Sequence, residues 1–250
     1  KFMLEKSPEE YPRPSALVQF FIRLRQVIFP GSQNYWRKRY AMGGNSGKGS
    51  YGKSAEFKAE ILNKFVCDNH INSVTEFGCG DGNQLTYADY PQYLGLDITE
   101  HAVKRCTALF ANDQSKRFSL YDPDEIETNQ ENFAAELVLS LDVIFHLVED
   151  EVYRKYLENV FNSSKKFVVI YSSDEEVNRL LHSRHVRHRK FTRDGAEWFP
   201  AWELKEVIEN RKPQSQPGGK EPSFDFFIYQ SALTGRLPYK TLKYPSDDLD

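Results

Sequence analysis

The sequence has little of what would tie it to a special environment. Its three cysteines, Cys67, Cys79 and Cys106, are odd in number and lack the spacing of zinc ligands. That argues against a disulfide framework and predicts free thiols in a reducing cytoplasm. No apolar run approaches the roughly 18 residues of a membrane span, and no secretory signal pattern is recognised. Neither sign of charge dominates, the formal net charge being −3 over 250 residues. No global feature therefore favours nucleic acid or an anionic membrane as a partner.

What is present is an ordinary globular composition, 40% hydrophobic and 28% charged, at a length that fits one α/β domain with some decoration. Lys1 at the start, where a Met would stand, fits a domain cut from a longer polypeptide. Residues 1–32 read as an arm with prolines at 8, 12 and 14, then a helix from Ser15 with Leu17, Phe20, Phe21, Leu24 and Ile28 on one face. Residues 33–235 read as the main domain and 236–250 as a tail. Helices are expected near 33–40, 54–69, 82–88, 99–111, 149–162 and 200–210. Strands are expected near 73–77, 93–97, 117–121, 136–141, 166–171 and 224–230. Such alternation predicts a mostly parallel sheet with helices on both faces. The segment Gly43–Gly52 carries five glycines and reads as a flexible loop or a lid.

The richest stretch is Val74-Thr75-Glu76-Phe77-Gly78-Cys79-Gly80-Asp81-Gly82-Asn83. It reads as a buried strand entering a turn with glycine at every second position, then a helix. Such a turn lets the backbone approach a ligand closely, and a helix start beyond it suits an anionic or polar group. The next apolar run, Tyr93–Asp97, ends in an acid about 20 residues after the first glycine, where an adenosine-binding βαβ unit places its ribose carboxylate. A glycine turn without a ligand and a nicotinamide site are the competing readings.

In open α/β sheets the ligand lies beyond the carboxyl ends of the strands. The third strand ends at Leu120-Tyr121-Asp122, and the fourth at Leu139-Ser140-Leu141-Asp142-Val143-Ile144-Phe145-His146-Leu147. Asp142 and His146 stand four apart. A histidine near a carboxylate suits general-base work, because its ordinary pKa of about 6.5 lies near operating pH. A core histidine, and an Asp142 that holds only a cofactor, are the alternatives. After the fifth strand, His182, His185 and His188 recur every third residue among Arg184, Arg187 and Arg189. The arginines argue against a metal. A loop grasping an anionic acceptor through His185 or Arg187 competes with a solvated charge run.

These segments resemble the class I S-adenosylmethionine (SAM) methyltransferases. Glu76-x-Gly78-x-Gly80-x-Gly82 is similar to their motif I, and Leu139–Leu147 to their motif IV. With Tyr35-Trp36-Arg37-Lys38-Arg39-Tyr40, the set resembles the branch that accompanies glycosyltransferases in glycan and polysaccharide assembly, some of them domains of multidomain glycosyltransferases, including ones of large algal viruses. The resemblance implies a Rossmann-like, mostly parallel seven-stranded sheet with a final antiparallel strand and an N-terminal helical extension. It implies SAM as cofactor and S-adenosylhomocysteine as product, held by Tyr35, Trp36, Arg39, Glu76, Gly78, Cys79, Gly80, Gly82, Asn83, Asp97, Ile98, Tyr121, Asp122, Ser140 and Leu141. Arg39 would face the SAM carboxylate, Asp97 the ribose and Asp122 the adenine. The acceptor would be a sugar hydroxyl of a glycan, with His146, Asp142 and His185 as catalytic candidates and no metal required. A small metabolite, a protein or nucleic-acid group, and a non-catalytic SAM-binding module of a larger enzyme are the rival readings.

Overall fold

The computed structural model describes residues 29–124, 131–176, 183–210 and 222–232. The helix expected over 15–28 and the tail at 236–250 lie outside them. Seven strands form one sheet: β1 Val74–Phe77, β2 Tyr93–Asp97, β3 Lys116–Leu120, β4 Ala135–Leu141, β5 Ser164–Ser172, β6 Trp202–Ile208 and β7 Asp225–Ser231. Their order is β3-β2-β1-β4-β5-β7-β6. The first five pair in parallel, and β7 is inserted antiparallel between β5 and β6. The expected antiparallel final strand is therefore present.

The helices are α1 Ser32–Ala41, α2 Gly52–Asp68, α3 Glu100–Leu109, α4 Asp150–Asn162 and α5 Phe191–Trp198. The central strands are apolar on both faces because both faces are covered. Leu137 and Leu139 of β4 join Ile61, Leu62 and Phe65 of α2 in one core. Val138, between them, turns to Tyr156, Leu157, Val160 and Phe161 of α4 in the other. Thr99 caps α3 by accepting the Ala102 N–H at 3.3 Å. Among the described residues no helix is long and apolar enough to cross a membrane.

Two sequence expectations fail. The segment 200–210 is not a helix; it is the edge strand β6, antiparallel to β7. Its alternation Trp202-Glu203-Leu204-Lys205 has period two, which strand geometry rewards and helix geometry does not. The helix expected at 82–88 shrinks to a single 3-10 turn, Gln84–Tyr87. Side chains compete there with helical backbone bonding: Asp81 accepts the Asn83 N–H at 3.2 Å and the Thr86 hydroxyl donates to the Asn83 carbonyl at 2.7 Å. With no α-helix following the glycine turn, the helix-dipole reading of this site falls away. Helix α5 was not anticipated.

One polar bridge ties α4 to the strand ends that carry the site. The buried Tyr156 hydroxyl hydrogen-bonds the Phe77 carbonyl at 3.0 Å and Ser140 Oγ at 2.8 Å. Tyr156→Phe leaves both groups short of a partner and is expected to lower unfolding free energy by about 1–3 kcal/mol, measured by urea denaturation.

Candidate functional site

The site is built where β1, β2 and β4 end. Gly78 and Gly80 take φ values of 85° and 60°, a region side chains rarely occupy. Crowding adds to this, since a Cβ on Gly78 would stand 2.6 Å from Val143 Cγ2 and one on Gly80 2.4 Å from Ser46 Oγ. The Gly78 and Cys79 N–H groups both donate to the Leu96 carbonyl, at 2.7 and 3.0 Å, so the turn is fastened to β2 just before Asp97.

Asp97 is the buried carboxylate of this junction. Its Oδ1 accepts the Thr99 N–H and hydroxyl at 2.9 and 2.8 Å, and its Oδ2 accepts the Gly80 N–H at 3.1 Å. Oδ2 retains one acceptor site, because each carboxylate oxygen offers about two. Burial pushes the Asp97 pKa up, against the pull of the Thr99 and Gly80 bonds. The carboxylate lies on a cleft at the carboxyl ends of β1, β2 and β4, the place where open α/β sheets bind ligands. Of the expected site residues, Trp36, Glu76, Gly78, Cys79, Gly80, Asp97, Ile98, Tyr121, Leu141, Asp142 and His146 line it together.

The others lie around it. Gly82 packs against α3, where a Cβ would meet Cys106 Sγ at 2.9 Å. Asn83 donates to the Ser50 carbonyl at 2.7 Å. Ser140 is buried beneath Tyr156. Asp122 is exposed and accepts the Asp124 N–H at 2.9 Å, as a turn acid does. Tyr35 stacks on His185, ring centroids 4.3 Å apart. Arg39 donates to the Asn45 carbonyl at 2.7 Å and lines a neighbouring cleft.

Several residues of the site were not foreseen. Asp81 Oδ2 accepts the Ser46 N–H at 2.9 Å and the Tyr51 hydroxyl at 2.7 Å, while Ser46 Oγ accepts the Asp81 N–H at 2.9 Å and pairs with the Tyr40 hydroxyl at 2.9 Å. The glycine-rich 43–52 segment is thereby pinned over motif I. Burial raises the Asp81 pKa, but the Ser46 N–H, the Tyr51 hydroxyl and the Asn83 N–H outweigh it and hold the carboxyl below its usual range. Lys58 is the second omission. It is 1% exposed and its Nζ meets Asp142 Oδ2 at 2.6 Å. The sequence did carry a trace of it, since Lys58 falls on the buried stripe of α2 with Ala55, Ala59 and Leu62.

Asp142 adopts φ 59°, a left-handed backbone that Asp tolerates better than most residues. Its carboxylate is turned to Lys58. The His146 ring is held by a different partner: Nδ1 lies 3.0 Å from the His185 carbonyl. A carbonyl only accepts, so Nδ1 carries the proton and Nε2 keeps its lone pair. The ring meets Trp36 edge-on at 4.9 Å and stacks on His185 at 5.3 Å. Burial brings the His146 pKa down to about 3, the His185 hydrogen bond opposing and the Arg39 charge adding.

The basic run serves structure more than expected. Arg187 pairs with Asp150 at 2.9 Å and donates to the Val148 carbonyl at 2.9 Å, and the Arg189 guanidinium sits 4.3 Å above the Tyr153 ring centroid. His188 Nδ1 meets Ser173 Oγ at 2.6 Å. His182 lies outside the described residues. Among the described residues no three His, Cys, Asp or Glu side chains gather as a metal site.

Comparison with solved structures now bears on this geometry. The chain resembles the N-methyltransferase NodS of Bradyrhizobium japonicum in complex with S-adenosylhomocysteine, at a TM-score of 0.61 and 12% identity, over 80% of this chain and 98% of that one. The Rossmann-like methyltransferase fold is established. Magnesium protoporphyrin IX methyltransferase (ChlM) of Synechocystis shares this methyltransferase fold at 0.54 and 12% identity, over 84% and 98% of the two chains. The methyltransferase domain of bacterial CtHen1 shares it at 0.54 and 15%, over 70% and 97%. No family model matches the sequence, and no curated protein matches it. The methyltransferase fold is thus common to neighbours whose names point to different substrates, and it does not select an acceptor.

One acid on this fold gives a pH signature. Burial lifts the Glu76 pKa to about 7, against the Tyr93 hydroxyl bond of 2.7 Å and the Lys58 charge. A carboxyl whose folded pKa is raised binds its proton more tightly folded than unfolded. Its contribution to stability is therefore fullest at low pH and declines as pH rises from about 4.5 to about 7. Glu76→Gln lacks this titration, so between pH 4.5 and 8 the unliganded wild type is expected to lose roughly 3 kcal/mol relative to the variant. Urea unfolding at the two pH values measures it; parallel pH profiles would exclude a buried, titrating Glu76.

Proposed function

We propose that this chain is a SAM-dependent O-methyltransferase that acts on a sugar hydroxyl of a glycan. The carrying observation is Asp97, a buried carboxylate with a spare acceptor site, set on a cleft beside a glycine turn at the end of the second strand. That is the chemistry a pair of vicinal ribose hydroxyls requires.

When bound, SAM supplies a methyl group made electrophilic by its sulfonium. The chain's residues do the rest. Asp97 accepts from the ribose hydroxyls, and Ile98, Tyr121 and Leu141 give the cleft apolar walls for adenine. Lys58 holds the Asp142 carboxylate in place beside motif I through their 2.6 Å ion pair. His146 takes the acceptor proton through Nε2, because the His185 carbonyl holds the ring proton on Nδ1; burial makes it a weaker base than a free imidazole, so that proton leaves as the methyl–oxygen bond forms. His185 acts on His146 as a positioning residue. Trp36 and its aromatic neighbours offer flat faces to a sugar ring, and the fused or cooperating glycosyltransferase implied by the resemblance would supply the glycan. A cytoplasmic site of action fits the free thiols Cys67, Cys79 and Cys106.

Asp97→Ala is expected to weaken SAM and S-adenosylhomocysteine binding about 100-fold by calorimetric titration, through loss of charge-assisted hydrogen bonds. Unchanged affinity would remove the cofactor reading. His146→Ala is expected to lower kcat by about 10²–10⁴-fold with SAM affinity intact, in a radiolabelled methyl-transfer assay on glycan acceptors. Because its pKa lies at about 3, His146 remains in its base form at higher pH, so kcat should show no acid limb from this group between about pH 5 and 8. A limb near 6.5 that vanishes in His146→Ala would show instead that the ring becomes exposed in the working complex.

A further inference from the structure

A second cleft of about 1100 Å³ opens off the same reaction point, sharing Trp36, Ser46, Asp142 and His146 with the first. Its walls are ring-bearing: Trp36, Phe145, Tyr171 and Phe224. Phe145 and Phe224 meet edge-on at 5.0 Å, and Phe145 also stacks on His188 at 5.9 Å, so these rings stand at a fixed angle. Such walls suit the C–H faces of a ring, but they do not choose its charge.

The charged side chains of the lining do. Arg39 and Lys48 line this cleft and not the first. The Arg39 guanidinium lies 5.4 Å from the Trp36 ring centroid and donates Nε–H to the Asn45 carbonyl at 2.7 Å, so it is oriented by neutral groups. Neither Arg39 nor Lys48 forms an ion pair with a carboxylate among the described residues. The single acid among the described lining residues, Asp142, is already neutralised by Lys58 at 2.6 Å. The cleft therefore carries surplus positive charge beside aromatic walls. This contrasts with Arg187, whose charge is met by Asp150.

Resting on the methyltransferase reading above, we infer that the acceptor is an anionic sugar, whose carboxylate or phosphate pairs with Arg39 and Lys48 while its ring lies among Trp36, Phe145 and Phe224. The Arg39 guanidinium bonds Asn45 and, at 3.4 Å, the Tyr35 hydroxyl, which leaves one N–H on each terminal nitrogen for an anionic oxygen, and the flexible Lys48 ammonium adds a second point of charge. The pair would set which hydroxyl reaches His146.

The test uses the whole chain saturated with S-adenosylhomocysteine. Methyl glucoside, methyl glucuronide and glucose 6-phosphate are titrated into it by calorimetry. The two anionic sugars are expected to bind about 10- to 100-fold more tightly than the neutral one. Their order relative to each other distinguishes carboxylate from phosphate. Arg39→Gln and Lys48→Gln should each erase most of the advantage, and Lys48→Gln should do so without altering S-adenosylhomocysteine affinity. Raising salt from about 0.05 to about 0.5 M should shrink it in the wild type. Equal binding of neutral and anionic sugars, an advantage that survives both variants, or binding by none of the three would overturn the inference. Failure of S-adenosylhomocysteine itself to bind would instead overturn the cofactor reading, and it is seen in the preceding titration.

Discussion

The buried Asp81 carboxylate governs the arrangement of the site. It gathers the Ser46 N–H, the Tyr51 hydroxyl and the Asn83 N–H around one charge. Three donors on one buried acid form a rigid knot, because each lost bond would leave a costly unpaired group. The knot joins two glycine-rich segments that are about 35 residues apart in the chain, 43–52 and 78–82. Everything on either side inherits its position. Trp36 and Tyr40 come in on α1, Lys58 on α2, and Asp97 is fixed through the Gly80 N–H.

The same knot explains why the loop is not a loose flap. Five glycines within 43–52 read as flexibility, but the backbone is held from outside the segment by the Asp81 carboxylate, which accepts the Ser46 N–H, and by the Asn83 amide, which donates to the Ser50 carbonyl. At Gly49 a Cβ would stand 2.7 Å from Asp142 Oδ2. Glycine there gives close approach to the carboxylate that Lys58 neutralises.

The sheet was legible where local pattern and tertiary demand agree. Strands at the centre, such as β4 and β5, are continuous apolar runs that no exposed element would tolerate, and the acid-ended β2 marked Asp97 directly. Legibility failed at the margins. Trp202–Ile208 carries enough charge to pass for a helix, and only its pairing with β7 settles it as an edge strand. In the site, residues tied to a motif by spacing were recoverable. Lys58, Ser46 and Tyr51 were not, because their roles come from contacts spanning 84, 35 and 30 residues. The sequence likewise held no trace that Arg187 pairs with Asp150, because a basic run says nothing of the distant acid that answers it. Periodicity records which face is buried and carries no record of which distant partner lies there.

The insertion of β7 between β5 and β6 has a consequence for the order in which the protein is made. Among the described residues strand β6 has β7 as its one hydrogen-bonded neighbour in the sheet, so that pairing waits until the chain has been synthesised past residue 231. The four strands β1–β4, by contrast, are complete by Leu141. On the ribosome the half that carries Asp97 and the glycine turn can therefore assemble first. The wall that holds Phe224 arrives last.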